Sequence, residues 1–232
     1  MGALVATVNK KGENVVPTVV ATLGELTHRG KAGHGIATPD MANTAATLEE
    51  LEHNNHVSSI AIGHNLSCSM SRDQLQPVEG DGFTAVFEGR LFPAPNLPGV
   101  SEAQALVGKL GSNPLRNAGS ILEKLDGSYV FAFAESNRIV AGRDVFGATP
   151  IYYGKNETYC VVASERKTLW NIGLKDVQDV LSSHEYGVCC HWSEEGEDAG
   201  TTWSWAADLG TRTLKASLGP PCEKEYTKIG FD

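Results

Sequence analysis

The chain has 232 residues, of which 41% are hydrophobic, and it carries a formal charge of −9 at pH 7. This length and apolar content can bury one substantial core, so a single domain over residues 1–232 is predicted. The acidic balance argues against a nucleic-acid surface, because phosphate binding requires a basic stripe and the 19 Lys and Arg residues form none. The chain has no apolar run of the ~20 residues that a membrane span needs, and no signal-peptide pattern. A cytoplasmic protein without membrane association is expected.

The cysteines and histidines do not predict a metal site. Five cysteines without a signal peptide indicate reduced thiols rather than a disulfide framework. Cys189-Cys190-His191 lacks the spacing by which two thiolates hold one zinc ion. His53 and His56 have helical spacing, but they lie in a polar segment without a partner at ligand spacing. We therefore expect neither a metal nor a cofactor.

Strand and helix patterns follow one another through the first half of the chain. Apolar runs predict strands at residues 4–8, 36–38, 58–62 and 83–87. Helices are predicted from Pro17 to Gly30, around Leu48 and Leu51, from Ser101 to Gly111, and from Pro114 to Leu125. Ser101 follows a proline-rich loop at residues 92–99 and is expected to cap its helix.

The most strongly patterned part of the chain is residues 125–165. Alternating residues predict four strands at 128–134, 139–141, 151–153 and 159–163, in one antiparallel meander. Ser164 is then expected to cap a helix that Gly173 ends. Strands and helices occur in blocks, which favours an α+β fold over parallel βαβ units. Residues 176–232 are expected to add C-terminal strands, at 186–191, 201–205 and 211–216, and a tail.

Several short motifs lie in order along the chain: His28-Arg29-Gly30, Gly63-His64, Gln76-Pro77, Glu88-Gly89, Leu125-Asp126-Gly127, Gly142-Arg143-Asp144 and Ala163-Ser164-Glu165. In order and spacing they resemble the glutaminase domain of asparagine synthetases, a class II glutamine amidotransferase module of the N-terminal-nucleophile hydrolase type. The resemblance implies a four-layer αββα sandwich in which two antiparallel sheets lie face to face.

The same resemblance implies a nucleophile and an oxyanion hole that this sequence does not reproduce. Members of the family use an N-terminal Cys, whereas this chain begins Met1-Gly2-Ala3 and its nearest hydroxyl is Thr7 in the first predicted strand. The family's oxyanion-binding Asn-Gly pair matches Glu88-Gly89. Gly89 can still offer its N–H, but an ionised Glu88 cannot donate a hydrogen bond.

Substrate-binding positions also differ from the family pattern. The arginine expected after His64 to clamp a glutamine carboxylate is missing, and Arg72 is the nearest replacement. The aspartate expected to hold the substrate amine matches Val100, although Ser101 and Glu102 remain. The candidate substrate-binding residues are Gly89, Ser101, Glu102 and Arg72, and the candidate catalytic residues are Glu88 and His64.

Three functions are compatible with this sequence. The first is a stand-alone amidotransferase-like protein with a degenerate active site, which lacks glutaminase activity and binds a ligand or a partner. The second is an enzyme with altered acid-base chemistry at Glu88 or His64, similar to archaeal inosine monophosphate cyclohydrolases. The third is an active class II glutaminase whose true N-terminus differs. The chain lacks the ATP-binding loop of a synthetase domain, so amide transfer would require a separate synthetase-type subunit; a homo-oligomer is the other expected assembly.

Overall fold

A computed structural model describes residues 2–39, 41–52, 56–122, 124–144 and 148–174, and five strands between residues 191 and 230. Contacts group the chain into two compact units, Met1–Gly173 and Leu174–Asp232. The single domain predicted for residues 1–232 stays a prediction.

The first unit contains two antiparallel sheets. The first sheet has the strand order β3-β2-β4-β1-β10-β9, and the second has the order β5-β6-β7-β8. The first sheet consists of β1 Ala3–Asn9, β2 His34–Thr38, β3 Met41–Ala45, β4 Ile60–Asn65, β9 Tyr152–Lys155 and β10 Tyr159–Ala163. The second consists of β5 Val78–Glu79, β6 Thr84–Leu91, β7 Gly127–Glu135 and β8 Arg138–Arg143.

Helices cover both sheets. The helices are α1 Val16–Glu25, α2 Leu48–Glu52, α3 Glu102–Leu110, α4 Pro114–Leu122 and α5 Arg166–Asn171. Helices α1, α2 and α5 contact the first sheet, while α3 contacts β5, β6 and α4. The predicted α+β fold, a four-layer αββα sandwich, is therefore confirmed.

Two apolar clusters hold the layers together, and each uses one face of the second sheet. Val86 and Val130 face the first sheet and pack with Leu4 and Ile62. The alternate residues of the same strands face α3 and α4; they include Phe87, Tyr129, Phe131 and Phe133. Successive side chains of a strand point to opposite faces of the sheet. The same alternation determines which polar side chains at the strand ends face the space between the two sheets.

The predicted meander is wrong. The strands at 128–134 and 139–141 form the hairpin β7–β8 in the second sheet, whereas β9 and β10 belong to the first sheet. The chain crosses between sheets after Asp144, whose carboxylate accepts hydrogen bonds from the N–H groups of Tyr129 and Ala148, both at 3.1 Å. Asp144 thereby links strand β7 to Ala148 through backbone amides.

The capping predictions have different outcomes at the two serines. Ser101 caps α3 in a reciprocal capping box with Gln104, as predicted. Ser164 does not cap α5, because its hydroxyl accepts the Leu4 N–H at 2.9 Å and Glu165 takes the N-cap position. Gly173 follows α5 with a φ of +83°, in keeping with its predicted place just after the helix.

The second unit is described by its strands alone: β11 His191–Glu194, β12 Glu197–Gly200, β13 Trp203–Asp208, β14 Thr213–Leu218 and β15 Thr227–Gly230. Strands β11 and β12 form a hairpin, and β13, β14 and β15 form an antiparallel sheet. The predicted strands at 201–205 and 211–216 overlap β13 and β14, whereas most of 186–191 lies outside the described residues.

Across the described parts of both units, every helix is too short or too polar to cross a bilayer.

Candidate active site

Strand alternation brings the two candidate catalytic residues together. On β4, Ile60 and Ile62 face the second sheet, so His64 faces the same way. On β6, Val86 faces the first sheet, and so does Glu88 two residues later. The imidazole and the carboxylate meet at one end of the space between the sheets.

Glu88 binds two groups on the first sheet. Its Oε1 accepts the Gly2 N–H at 2.6 Å, and its Oε2 lies 3.4 Å from His64 Nε2. The Arg29 Nε–H donates to the Gly2 carbonyl at 2.8 Å and fixes the chain on the other side of the same residue. Gly2, just before β1, and His64 of β4 therefore meet at the Glu88 carboxylate, and Arg29 holds Gly2 through its carbonyl.

The pair is buried and its carboxylate is charged. The His64 side chain is 1% exposed and that of Glu88 12%. Burial raises the pKa of Glu88, but the hydrogen bond and charge of His64 and the Gly2 N–H outweigh burial, so the pKa lies below its ordinary value. Glu88 is therefore ionised at neutral pH and accepts hydrogen bonds without donating any.

Gly2 leaves no room for a side chain. A Cβ built on Gly2 would lie 2.6 Å from Glu88 Oε2 and 2.3 Å from the Asn65 carbonyl oxygen. The Glu88 carboxylate thus occupies space that a side chain at residue 2 would enter.

The backbone conformation at position 89 requires a glycine. Its φ is +132°, and a Cβ there would lie 2.1 Å from the Ser128 carbonyl oxygen. Two residues earlier on β6, Phe87 is held by Gln76, which accepts its N–H at 2.6 Å and donates to its carbonyl at 2.9 Å. The Gln76 side chain therefore fixes the strand immediately before Glu88 and Gly89.

A cavity of about 220 Å³ adjoins Glu88 and Gly89. Its apolar lining residues are Leu66, Phe87, Phe92 and Ala103. The polar lining consists of Ser67, Ser69, Asp73, Gln74, Gln76, Arg90, Ser101, Glu102, Ser128 and Thr149. A small molecule with polar and apolar parts matches this lining.

Two arginines near the cavity are paired with carboxylates. Arg72 donates from Nε to Glu102 Oε1 at 3.0 Å, and its Nη2 lies 2.9 Å from the same oxygen. Arg90 Nη2 donates to Asp73 Oδ2 at 2.9 Å and to Ser69 Oγ at 2.7 Å. Arg72 is thus bound to Glu102, which is itself 4% exposed at the side chain.

Asp73 is also ionised at neutral pH. Its partial burial raises the pKa. The N–H groups of Met70 and Ser69 and the charge of Arg90 together lower the pKa by more than burial raises it, so it falls below its ordinary value. Both N–H groups donate to Asp73 Oδ2 at 2.8 Å.

Most of the predicted site residues meet at this cavity. Glu88, Gly89, Ser101 and Glu102 line it, and His64 contacts Glu88 from behind. Arg72 contributes through Glu102 and is not itself among the lining residues. Their catalytic and binding roles stay predictions.

Sequence reasoning missed Asp73 and Arg90. They are 17 positions apart and meet only because the loop before β5 folds over the end of β6. Thr7, the nearest hydroxyl to the N-terminus, is fully buried on β1 and follows Ala6, which faces the second sheet, so its side chain points to the opposite face.

Other charged motifs form a separate cluster near the end of α1. His28 Nε2 lies 2.6 Å from Glu165 Oε1, and Lys167 Nζ donates to the Glu25 carbonyl at 2.9 Å. His28 Nδ1 lies 3.2 Å from that same carbonyl, which agrees with its expected place at the negative end of the helix.

Within the described residues, no group of three or more His, Cys, Asp or Glu side chains could hold a metal ion. Cys68 and Cys160 are free thiols. His53, Cys189 and Cys190 lie outside the described residues.

Comparisons with known proteins agree with this geometry. Residues 64–171 match the glutamine amidotransferase domain family. A Methanocaldococcus jannaschii protein that carries the name of a glutamine-hydrolysing asparagine synthetase is 27% identical over 157 residues, which are 63% of this chain and 29% of that protein.

Similar solved structures show the same fold. The glutamine phosphoribosylpyrophosphate amidotransferase from B. subtilis, complexed with ADP and GMP, has a TM-score of 0.61 at 15% identity and covers 99% of this chain and 49% of its own. A structure described as the allosteric regulatory enzyme of purine biosynthesis has a TM-score of 0.62 at 15% identity, and the match covers 100% of this chain and 49% of that enzyme.

The chain thus spans about half of these enzymes and 29% of the asparagine synthetase relative. The match over residues 64–171 and the relative support a class II glutamine amidotransferase domain of the asparagine synthetase type, and the two facing antiparallel sheets have the N-terminal-nucleophile hydrolase fold.

Proposed function

We propose that this amidotransferase-type domain binds a small molecule in the cavity beside Glu88 and Gly89 and does not hydrolyse glutamine. The observation that carries the proposal is the position of the Glu88 carboxylate, which contacts the Gly2 N–H and fills the space next to it. A nucleophilic side chain at residue 2 would have to displace this carboxylate.

The charge at Glu88 also opposes the transition state of amide hydrolysis. Attack on an amide carbonyl places negative charge on its oxygen, and hydrogen-bond donors must stabilise that charge. Gly89 can supply an N–H, but the neighbouring ionised carboxylate of Glu88 repels an oxyanion. Loss of one donor alone costs ~10² to 10³ in rate.

The arginines near the cavity support the same proposal. A glutamine carboxylate would need a guanidinium with free donors, whereas Arg72 is bound to Glu102 and Arg90 to Asp73. Glutamine would therefore bind without the two-point clamp that an arginine gives a carboxylate.

The direct test is glutamate release. Purified full-length protein is incubated with millimolar glutamine, and glutamate and ammonia are quantified against a boiled control with added glutamate. We expect no release above the boiled control. Turnover by the purified protein would refute the proposal.

N-terminal sequencing of the native protein tests the remaining glutaminase hypothesis. A mature chain that starts at Met1 or Gly2 eliminates a glutaminase with a misassigned start. A chain that starts with an additional cysteine would support it.

The second candidate is an enzyme that uses Glu88 and His64 for acid-base chemistry. It is favoured by the buried contact of these two groups and by the His64 Nδ1 atom, which is buried without a hydrogen-bond partner. If cyclohydrolase turnover on an inosine monophosphate precursor is measurable, Glu88→Gln and His64→Ala should abolish it. Turnover that is unchanged in both variants would remove this candidate.

We also propose a cytoplasmic location and a partner. Free thiols at Cys68 and Cys160 agree with a reducing compartment. A separate synthetase-type subunit or a second copy of this chain is the expected partner. Light scattering of the purified protein distinguishes a monomer from a homo-oligomer, and co-purification from native lysate tests for the synthetase-type subunit.

A further inference from the structure

We propose that the cavity beside Glu88 selects a small organic molecule that carries an ammonium group and no free carboxylate. This inference rests on the proposed function and deepens it, because it names the chemical class of the ligand.

The first argument is the charge of the lining. Three of the described lining residues are carboxylates, Asp73, Glu88 and Glu102, and one is a guanidinium, Arg90. With Arg72, which pairs with Glu102 from outside the lining, this group carries a formal charge of −1. The lowered pKa values of Asp73 and Glu88 keep both ionised at neutral pH. A partly enclosed site with this charge attracts a cation and repels an anion.

The second argument is that the guanidinium has little left to offer an anion. Both Nη2 hydrogens of Arg90 are taken by Ser69 and Asp73, and Nη1 donates to the Gly89 carbonyl at 2.9 Å and lies 3.8 Å from Glu102. Three of the five N–H groups of Arg90 are therefore already engaged before a ligand carboxylate could bind.

The third argument identifies an acceptor for an ammonium. Each oxygen of Glu88 has one partner on the first sheet, Gly2 for Oε1 and His64 for Oε2. A carboxylate offers about four lone-pair sites, so Glu88 keeps acceptor capacity on the side that lines the cavity. An ammonium donates three hydrogen bonds, and carboxylate oxygens accept them.

The cation is organic rather than a metal ion. No group of described carboxylate, His and Cys side chains could hold a metal, and the lining includes the apolar residues Leu66, Phe87, Phe92 and Ala103. Apolar lining residues suit the carbon skeleton of a ligand. The volume of about 220 Å³ lies below the ~300–1,000 Å³ typical of drug-sized sites, which indicates a molecule of amino-acid size.

Four probes of similar shape separate charge from size. L-glutaminamide is cationic, L-glutamine is zwitterionic, N-acetyl-L-glutaminamide is neutral and N-acetyl-L-glutamine is anionic. Dissociation constants are measured by NMR titration of the full-length protein. We expect L-glutaminamide to bind at least about tenfold more tightly than N-acetyl-L-glutamine, the scale of one charge-assisted hydrogen bond. Equal or tighter binding of N-acetyl-L-glutamine, or failure of L-glutaminamide to bind, would overturn the inference.

Variants locate the effect at the cavity. Glu88→Gln keeps the shape and removes the charge, and Asp73→Asn does the same at the second carboxylate. Each should weaken L-glutaminamide binding by about tenfold. The matched control is Glu157→Gln, an exposed glutamate in the β9–β10 turn, which should bind as the wild type does. If neither cavity variant changes the affinity, the cavity does not select the ammonium.

These results are separable from the glutaminase test. Glutamate release would refute the proposed function while the order of the four probes still reports the charge preference. An inverted order without glutamate release would refute this inference and leave the proposed function intact.

Discussion

At the scale of single residues, Gly2 and Glu88 depend on one another. The Gly2 N–H donates to Glu88 Oε1, and the lack of a side chain at Gly2 leaves space for the carboxylate. Glu88 in turn offers one oxygen to this N–H and the other to the His64 imidazole.

The close packing around Gly2 predicts that Gly2→Ala lowers stability. Its Cβ would meet the Asn65 carbonyl oxygen at 2.3 Å, a backbone atom that cannot move aside cheaply. Overpacking of this kind typically costs about 1–3 kcal/mol. The measurement is the free energy of unfolding in urea.

Gly108→Ala is the matched control for this substitution. Gly108 lies inside α3, and a Cβ there meets no atom within 4 Å. Alanine should stabilise the helix by up to ~1 kcal/mol. Equal effects of the two substitutions would show that the contact at Gly2 is not strained.

The charge of Glu88 predicts a loss of stability in acid. Because its pKa is lower in the folded protein, its contribution is fully present above the ordinary carboxyl pKa of about 4.3 and is lost as pH falls through the folded value. The free energy of unfolding, measured from pH 6 to pH 3, should fall less steeply in Glu88→Gln than in the wild type. The exposed control is Glu157→Gln. If the free energy of unfolding falls as steeply with pH in Glu88→Gln as in this control, Glu88 does not contribute in the way proposed.

At the scale of elements, one side chain positions the end of strand β6. Gln76 accepts the Phe87 N–H and donates to the Phe87 carbonyl, and it is buried. This pairing takes the place of a neighbouring strand at the point where β6 passes beyond the two-residue strand β5.

Gln76→Ala should therefore be more damaging than its position in a loop suggests. It leaves a buried N–H and carbonyl of Phe87 without partners, and each unsatisfied group costs about 1–3 kcal/mol. Urea unfolding measures the loss. Gln74→Ala is the control, because its one hydrogen bond, to the Gly99 carbonyl, is exposed; a similar loss in both variants would argue against the role of Gln76.

The elements themselves were largely predictable, but their assignment to sheets was not. Alternation along β7 and β10 indicates strands, yet it does not say which strand pairs with which. The change of sheet after Asp144 depends on its hydrogen bonds to Tyr129 and Ala148, which no local pattern reveals. The short strands β3 and β5 were missed, because neither has an apolar run.

The candidate site was likewise predictable from the sequence only in part. Glu88, His64 and Gly89 could be picked out, because they lie in motifs that resemble a known family. Asp73 and Arg90 could not, because their contact arises from the folding of a loop over a strand.

At the scale of the whole molecule, both apolar clusters lie in the first unit. Their buried members come from β1, β2, β4, β6 and β7, from α3 and α4, and from Phe83 just before β6, all before residue 135. The residues that line the cavity also all belong to the first unit.

This arrangement predicts that a chain ending at Gly173 folds on its own. We expect a single cooperative urea transition and the same charge order of probes as in the full-length protein. Circular dichroism and the NMR titration measure the two properties. A chain that does not fold without residues 174–232 would instead support one indivisible domain.

The contact between Gly2 and Glu88 also constrains how this protein can evolve. A side chain at position 2 would meet both the Asn65 carbonyl oxygen and the carboxylate, while a change at Glu88 alone leaves the Gly2 amide and His64 without their acceptor. Substitutions at these two positions are therefore coupled, and we expect each alone to lower stability. A thiol at position 2 would require compensating changes that make room for it.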